Sequence, residues 1–117
     1  MFAISGTTIT LKQGDTLRVR INLIRKTETD IGMFRPEDGS RLHFIAKRKL
    51  RGNLPVEIEA DVSMETMILC IDSKQTKDLE LYGRQTDFVY DIELISPSGE
   101  TETVISNARL IIVPEVA

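Results

Sequence analysis

The sequence predicts an all-β fold, a Greek-key sandwich of about seven to eight antiparallel strands with one short helical turn. Three observations lead to this prediction. Apolar and polar residues alternate over several short runs, which is typical of strands with one buried face. Turn residues separate the runs at short spacing. A repeating strand–helix–strand pattern, typical of parallel sheets, is not visible. A small closed barrel is the alternative architecture.

The alternation is clearest in three runs, residues 17–23, 56–62 and 88–94. In each of them apolar side chains occupy every second position, so we expect strands with one face toward the core. Further strand candidates, rich in Thr, Val and Ile, are residues 7–11, 42–50, 66–71, 100–105 and 108–113.

Glycine-containing turns separate these strands. Residues 13–15 predict the turn of a first hairpin, and residues 96–99 predict the loop of a later one. Residues 36–39 predict a turn inside the longest irregular stretch, about residues 26–40, and residues 51–53 predict another turn.

One helical turn is predicted over residues 74–82. Asp72 or Ser73 can cap its N-terminus, and Gly83 can end it in a left-handed conformation. The 117 residues contain no visible repeat or linker, so we assign residues 1–117 to a single domain.

Composition narrows the classes of partner. A net charge of −3 and a pI near 5.2 give no general electrostatic reason to bind nucleic acid or an anionic membrane. No apolar run approaches the ~18 residues of a membrane span. The N-terminal residues do not form a signal-peptide pattern. We therefore expect neither nucleic acid nor membrane as a partner.

The charges are distributed unevenly along the chain. Residues 12–51 carry a net charge of +6, whereas residues 52–117 carry −9. One interpretation is that early and late strands interleave in one sheet, where their outer residues pair across it. The other is that a basic face and an acidic face stack head to tail in an oligomer.

The sequence predicts no catalytic residue, cofactor, metal ligand set or small-molecule substrate. A small hydrolase would have to use His43, the only histidine, which stands in the outward phase of a predicted strand with no nucleophile motif beside it. We expect Cys70, the only cysteine, to be a buried and unreactive thiol. The basic run at residues 47–51 is expected to protect a strand end.

Several strands carry apolar residues in the outward phase of their alternation. These residues are Ile24, Ile45, Val89, Ile95, Ile111 and Val113. They are either scattered surface residues or parts of a patch that meets another subunit. The candidate protein-contact residues are Ile45, Val89, Ile111 and Val113.

The order of the segments carries a family resemblance. The matching pieces are residues 10–16, 71–79, 88–94, 102–105 and 109–116. In these pieces the chain resembles the small immunoglobulin-like β-sandwich proteins of tailed-phage tail and baseplate modules, from phages and prophages of Gram-positive bacteria. It is similar to the N-terminal domain of the baseplate upper protein.

This resemblance implies an immunoglobulin-like sandwich with a non-enzymatic structural or assembly role in a phage or prophage particle. Its implied location is the virion, after synthesis in the bacterial cytoplasm, and its implied partners are other tail proteins or further copies of itself. The alternative function is a carbohydrate- or cell-surface-binding module. The absence of tryptophan argues against that alternative, because sugar rings commonly stack on exposed aromatic side chains.

Overall fold

The computed structural model describes residues 2–5, 8–26, 31–33, 36–49 and 54–115. Within these ranges the chain forms ten strands and one five-residue helix, so the all-β prediction is confirmed. The strands are β1 (Phe2–Ser5), β2 (Thr8–Lys12), β3 (Leu17–Arg20), β4 (Ile24–Lys26), β5 (Ile31–Met33), β6 (Arg41–Arg48), β7 (Ile58–Ser63), β8 (Ile68–Ile71), β9 (Thr86–Ile95) and β10 (Thr101–Val113). The helix is α1 (Ser73–Lys77).

Eight of the described strands form one mixed sheet in the order β1-β2-β10-β9-β6-β7-β8-β3. Its neighbours are antiparallel, except that β2 runs parallel to β10. Strands β4 and β5 pair as a separate hairpin, and β5 lies inside the stretch that the sequence predicted to be irregular.

Inward side chains of the sheet form one continuous core, because each strand keeps its two-residue alternation. The largest fully buried hydrophobic side chains are Phe44, Phe88, Leu11, Leu17, Leu42, Ile58, Leu69, Ile71, Ile92, Leu110 and Ile112. The rings of Phe44 and Tyr90 lie 5.1 Å apart at the centre of β6 and β9. Burial raises the pKa of Tyr90. Strands β2 and β3, which lie toward opposite ends of the sheet order, both contribute side chains to this core, so the sheet curves around it.

The prediction of a first hairpin at residues 13–15 is wrong. The chain turns there, but β2 and β3 lie on opposite sides of the sheet order and do not pair. Alternation shows that each run has a buried face and leaves the pairing partner open. The turn is held by α1 and the residues after it. The Gln13 amide donates to the carbonyls of Thr76 and Leu79 at 3.0 and 2.8 Å, and the Gly14 N–H donates to Thr76 Oγ1 at 3.0 Å.

The loop at residues 96–99 does join a hairpin, as predicted. It connects β9 to β10, and the Ser96 N–H donates to the Glu100 carbonyl at 2.8 Å. Gly99 takes the left-handed backbone that such a loop needs, with φ +93°. The hairpin is therefore closed by a residue that adopts this conformation without steric cost.

Strand β10 merges two predicted strands, residues 100–105 and 108–113. Between them the register with β9 shifts, and Asn107 lies in the left-handed region with φ +52°. The side chain of Asp91 accepts the Asn107 N–H at 2.7 Å, which satisfies the backbone at the irregularity. The chain thus continues as one strand through a bulge.

Helix α1 begins where predicted but ends early. Asp72 caps it and forms a capping box with Gln75, whose side chain accepts the Asp72 N–H at 3.2 Å. The predicted helix at residues 74–82 is too long, because the helix ends at Lys77. Gly83 has the expected positive φ, +70°, but lies in a later turn.

The turn at residues 36–39 is confirmed, and it lies at the same end of the domain as the β9–β10 loop. The Ser40 N–H donates to the Glu37 carbonyl at 3.0 Å. A Cβ atom on Gly39 would lie 3.3 Å from the Pro97 side chain, so the two loops approach closely. The turn predicted at residues 51–53 lies outside the described residues.

Candidate protein-contact face

The outer face of β6 and β9 carries two of the four candidate contact residues in one place. Ile45 lies in register with Asp91, and Lys47 lies in register with Val89. Both apolar side chains are half-buried, and their inward neighbours belong to the core. The outward phase predicted for Ile45 and Val89 is therefore observed.

These two residues line a shallow depression of about 180 Å³, which we call the outer-face depression. Its lining residues are Ile45, Ala46, Lys47, Leu54, Val56, Val89, Asp91 and Asn107. The Glu57 N–H donates to the Ala46 carbonyl at 2.9 Å, which holds the segment before β7 against β6. Val56 is 45% exposed, which makes it one of two large hydrophobic residues exposed in the described part of the chain.

The sequence did not predict that Leu54 and Val56 belong to this surface. The alternation of residues 56–62 placed Val56 in the inward phase of a strand, whereas β7 begins at Ile58. Val56 precedes the strand and is free of its alternation, so it lies at the surface. Nothing in the sequence pattern distinguishes this residue from the first residue of the strand.

Ile111 and Val113 lie on β10, away from the outer-face depression. They are half-buried and in register with Thr10 and Lys12 of β2. The side chain of Ile24 lies outside the described residues, and Ile95 is half-buried at the end of β9. The structure therefore gathers Ile45 and Val89 at the outer-face depression, which the other two candidate residues do not line.

Charged residues flank both apolar side chains of the outer-face depression. Ile45 lies between Glu59 on β7 and Asp91 on β9. Val89 lies between Lys47 on β6 and Arg109 on β10. An apolar centre with charged neighbours is the arrangement found in many protein–protein interfaces.

His43 lies one outward position from Ile45 and is enclosed by carboxylates. Its Nδ1 lies 2.7 Å from Asp61 Oδ1, and its Nε2 lies 3.0 Å from Glu59 Oε1. Glu93 of β9 is its register partner on the other side. The hydrogen bonds to Asp61 and Glu59 raise the pKa of His43 above 6.5, against a smaller opposing effect of burial.

This geometry differs from that of a histidine that serves as the general base of a nucleophilic triad. Both ring nitrogens face carboxylates, so the imidazole makes both hydrogen bonds only when it carries two protons. A general base needs a free ring nitrogen toward a nucleophile. In the described part of the chain no hydroxyl or thiol is hydrogen bonded to His43.

Arg48, at the end of β6, forms the more buried ion pair of this region. Its Nε and Nη2 donate to the two carboxylate oxygens of Glu57 at 2.6 and 3.1 Å, and the guanidinium lies 5.3 Å from the centre of the Phe88 ring. The bond to Glu57 raises the pKa of Arg48. Its Nη1 is buried without a hydrogen-bond partner among the residues that are described.

The uneven charge distribution appears in the sheet as cross-strand pairing. Strand β6, from the basic half of the chain, lies between β7 and β9 from the acidic half. The pairs of His43 with Glu59 and of Arg48 with Glu57 connect the two halves. The interpretation in which early and late strands interleave and pair their charges across the sheet is thus observed within a single chain.

The prediction of a buried Cys70 is wrong, because its thiol is exposed. Strand β8 alternates, with Leu69 and Ile71 fully buried on one face and Cys70 on the other. The general tendency of cysteine to be buried is weaker than the two-residue period of a strand with one solvated face.

Among the described residues, no cluster of three or more His, Cys, Asp or Glu side chains has an arrangement that could hold a metal ion. No described helix is long and apolar enough to cross a membrane.

The chain was also compared with known proteins. No family model, curated protein or solved structure matches it. The resemblance to phage tail and baseplate modules therefore remains a prediction that rests on the sequence segments quoted above.

Proposed function

We propose that this protein is a non-enzymatic structural or assembly component that acts through protein–protein contact at the outer face of β6 and β9. One observation carries the proposal: Ile45, Val89, Leu54 and Val56 come together around the outer-face depression. Burial of apolar surface is the main favourable contribution to most protein association. The charged neighbours of Ile45 and Val89 would orient the partner.

We place this component in the tail or baseplate of a phage or prophage particle, located in the virion, with other tail proteins or further copies as partners. Support for this setting is the sequence resemblance alone. Mass spectrometry of purified particles tests it directly. Detection of the chain at a fixed ratio to a major tail protein is expected, and its absence from intact particles would refute the setting.

The finer architecture that we propose is an immunoglobulin-like Greek-key sandwich. In such folds one layer contains strands in the order B-E-D and the other contains C-F-G. The observed order supports this assignment, since β3-β8-β7 and β6-β9-β10 follow it when β2 is lettered A and β1, β4 and β5 are treated as additional strands. A crystal structure with two layers packed at about −30° is expected, whereas a closed barrel without layers would exclude it.

The contact proposal is tested with two substitutions chosen to spare the folded chain. Val89→Glu places a carboxylate between Lys47 and Arg109, and Ile45→Lys places an ammonium between Glu59 and Asp91. Each new charge meets opposite charges within the chain, so folding is preserved while the apolar surface is lost. Incorporation of each variant into particles is measured relative to the unaltered chain.

We expect both variants to be depleted from particles by about tenfold or more, because each removes apolar surface that the partner would bury and replaces it with a charge that must lose its water at the interface. Thr103→Lys is the matched control, since Thr103 is exposed on β10 outside the outer-face depression and faces Glu93. Normal incorporation of Val89→Glu and Ile45→Lys would contradict the proposal.

The alternative, a carbohydrate- or cell-surface-binding module, has one point of support. Tyr82 is 63% exposed, and the Arg48 guanidinium lies 5.8 Å from the centre of its ring. An exposed ring can stack on a sugar. Binding on a glycan array that disappears in Tyr82→Ala would favour this alternative, and an array without binding would exclude it for the glycans tested.

A further inference from the structure

A second cavity lies at the end of the domain that carries the turn at residues 36–39. It is a groove of about 680 Å³, which we call the loop-end groove. Three segments line it: residues 20–23 from the end of β3 onward, residues 36–40, and residues 64–68, which follow β7 and include the first residue of β8. It shares no lining residue with the outer-face depression. The volume falls in the range of sites that hold a small ligand or a few side chains.

The interior of the loop-end groove is apolar. Ile21 and Leu23 are buried, and Met64, Met67 and Ile68 are half-buried beside them. Methionine is flexible and polarizable, so it adapts to ligands of different shape. The groove therefore offers an adaptable apolar surface to aliphatic side chains.

Its rim is acidic. Glu37, Asp38 and Glu65 are exposed carboxylates on two of the lining segments, and Arg20 is the one cation among the described lining residues. Two of these carboxylates come from residues 36–40 and the third from residues 64–68, so acidic groups of two segments lie beside the apolar interior. Such a rim attracts positively charged groups.

Met67 holds an unusual backbone position inside this groove. Its φ is +58°, in the left-handed region that non-glycine residues seldom occupy. Two hydrogen bonds fix the conformation, from the Met67 N–H to the Ser63 carbonyl at 2.6 Å and from the Ile21 N–H to the Met67 carbonyl at 2.7 Å. Glycine would adopt this backbone freely, so the methionine side chain occupies the groove at a conformational cost.

We propose that the loop-end groove binds an extended peptide segment of a partner protein in which lysine or arginine alternates with aliphatic residues. The aliphatic side chains would contact Met64, Met67 and Ile68, and the cationic groups would pair with the rim carboxylates. This inference is independent of the outer-face contact proposed above, because the two surfaces have no lining residue in common.

The probe is a blocked, fluorescein-labelled Lys-Leu-Lys-Leu-Lys-Leu peptide, and binding to the full chain is measured by fluorescence anisotropy. Two matched peptides replace either the lysines with glutamates or the leucines with serines. We expect the Lys-Leu peptide to bind about tenfold or more tightly than either, because it alone satisfies both the rim and the interior. Equal binding of the three peptides would overturn the proposal.

Variants then locate the site. Glu37→Gln with Glu65→Gln is expected to weaken binding about four- to twenty-five-fold, since each exposed ion pair contributes a factor of about two to five. Met67→Gly keeps the left-handed backbone and removes the side chain from the groove, so a further loss of about tenfold is expected. The matched control is Asn107→Gly, which likewise puts glycine in place of a non-glycine residue that has a left-handed backbone. Among the described residues, Met67 and Asn107 are the two of this kind, and Asn107 lies outside the groove.

Circular dichroism and thermal unfolding establish that each variant is folded. Weakened binding in the groove variants with unchanged binding in Asn107→Gly would support the site. The proposal fails if the groove variants bind as the unaltered chain does. It also fails if sedimentation shows a dimer that the same groove variants dissociate, because the occupant would then be a second copy of the chain.

Discussion

Strand β6 contributes to two ion-pair sites that differ in burial. At one, His43 is 27% exposed, and its partners Glu59 and Asp61 are 62% and 67% exposed. At the other, Arg48 is 14% exposed and Glu57 is 26% exposed. The distances are similar, from 2.6 to 3.0 Å, so distance does not distinguish the two sites.

The difference follows from the position of each residue on β6. His43 lies in the outward phase, where water screens its carboxylate partners. Arg48 follows the inward phase of Phe44 and Ala46, and its guanidinium lies against the Phe88 ring. We infer that the fold depends on the Arg48 site, whereas the His43 site adjusts the charge beside the contact face.

The largest expected effect comes from Arg48→Ala. This substitution removes the pair with Glu57, the contact with Phe88 and the buried side-chain stem, so we expect the free energy of unfolding to fall by about 2–3 kcal/mol. Urea denaturation measures it. Arg109→Ala is the control, because Arg109 also forms a 3.0 Å ion pair, with Asp87, but is 46% exposed. Equal losses in the two variants would show that burial is not the deciding factor.

The next largest effect distinguishes the carboxylate of Glu57 from that of Glu59. Glu57→Gln leaves the Arg48 charge partly buried without a full counter-charge, and we expect a loss of about 1–2 kcal/mol in the free energy of unfolding. Glu59→Gln, two residues later in the sequence, should cost about 0.5 kcal/mol or less. A reversed order would contradict the assignment of the structural role to Arg48.

The pH dependence of the free energy of unfolding is a smaller effect, and it arises from His43. Because the pKa of His43 is raised in the folded chain, the stabilisation is complete below about 6.5, the unfolded value, and is lost as pH rises through the folded pKa. We expect the free energy of unfolding to decrease by about 0.5–1 kcal/mol over this window. His43→Gln should remove that part of the pH profile. A profile that is the same in both proteins would refute the prediction.

Salt should produce the smallest change. At about 1 M NaCl the screening length falls to about 3 Å, so the His43 contribution to the pH profile should nearly disappear. The loss caused by Arg48→Ala should change by less than about 0.5 kcal/mol, since shielded pairs are screened less. A salt-sensitive Arg48 effect would place that guanidinium in solvent.

The sequence allowed the strands to be predicted because a two-residue period follows directly from a sheet with one buried face. From this period we predicted the strands that contain Ile45 and Val89, and we predicted that both side chains point outward. It could not predict that Lys47 lies opposite Val89, since register depends on the pairing of distant strands. The outer-face depression therefore became visible only in the structure.

The wrong predictions, for the turn after β2 and for Cys70, each have a physical cause. The turn after β2 looks like a hairpin turn locally, but long-range pairing takes β2 to β10 and β3 to β8. Cys70 is exposed because the alternation of β8 places it on the outer face of the strand, although cysteine is more often a buried residue. The carboxylates around His43 come from β7, and no local signal joins them to the histidine.

The pairing of β2 with β10 has a consequence for synthesis. Ile9 pairs with Leu110, roughly 100 residues later, so at about 5–20 residues per second a ribosome needs about 5–20 s to make the partner of β2. During that interval β2 can pair only with β1 among its neighbours in the finished sheet. The nascent chain must therefore keep Ile9 and Leu11 from aggregating until its last strand has emerged.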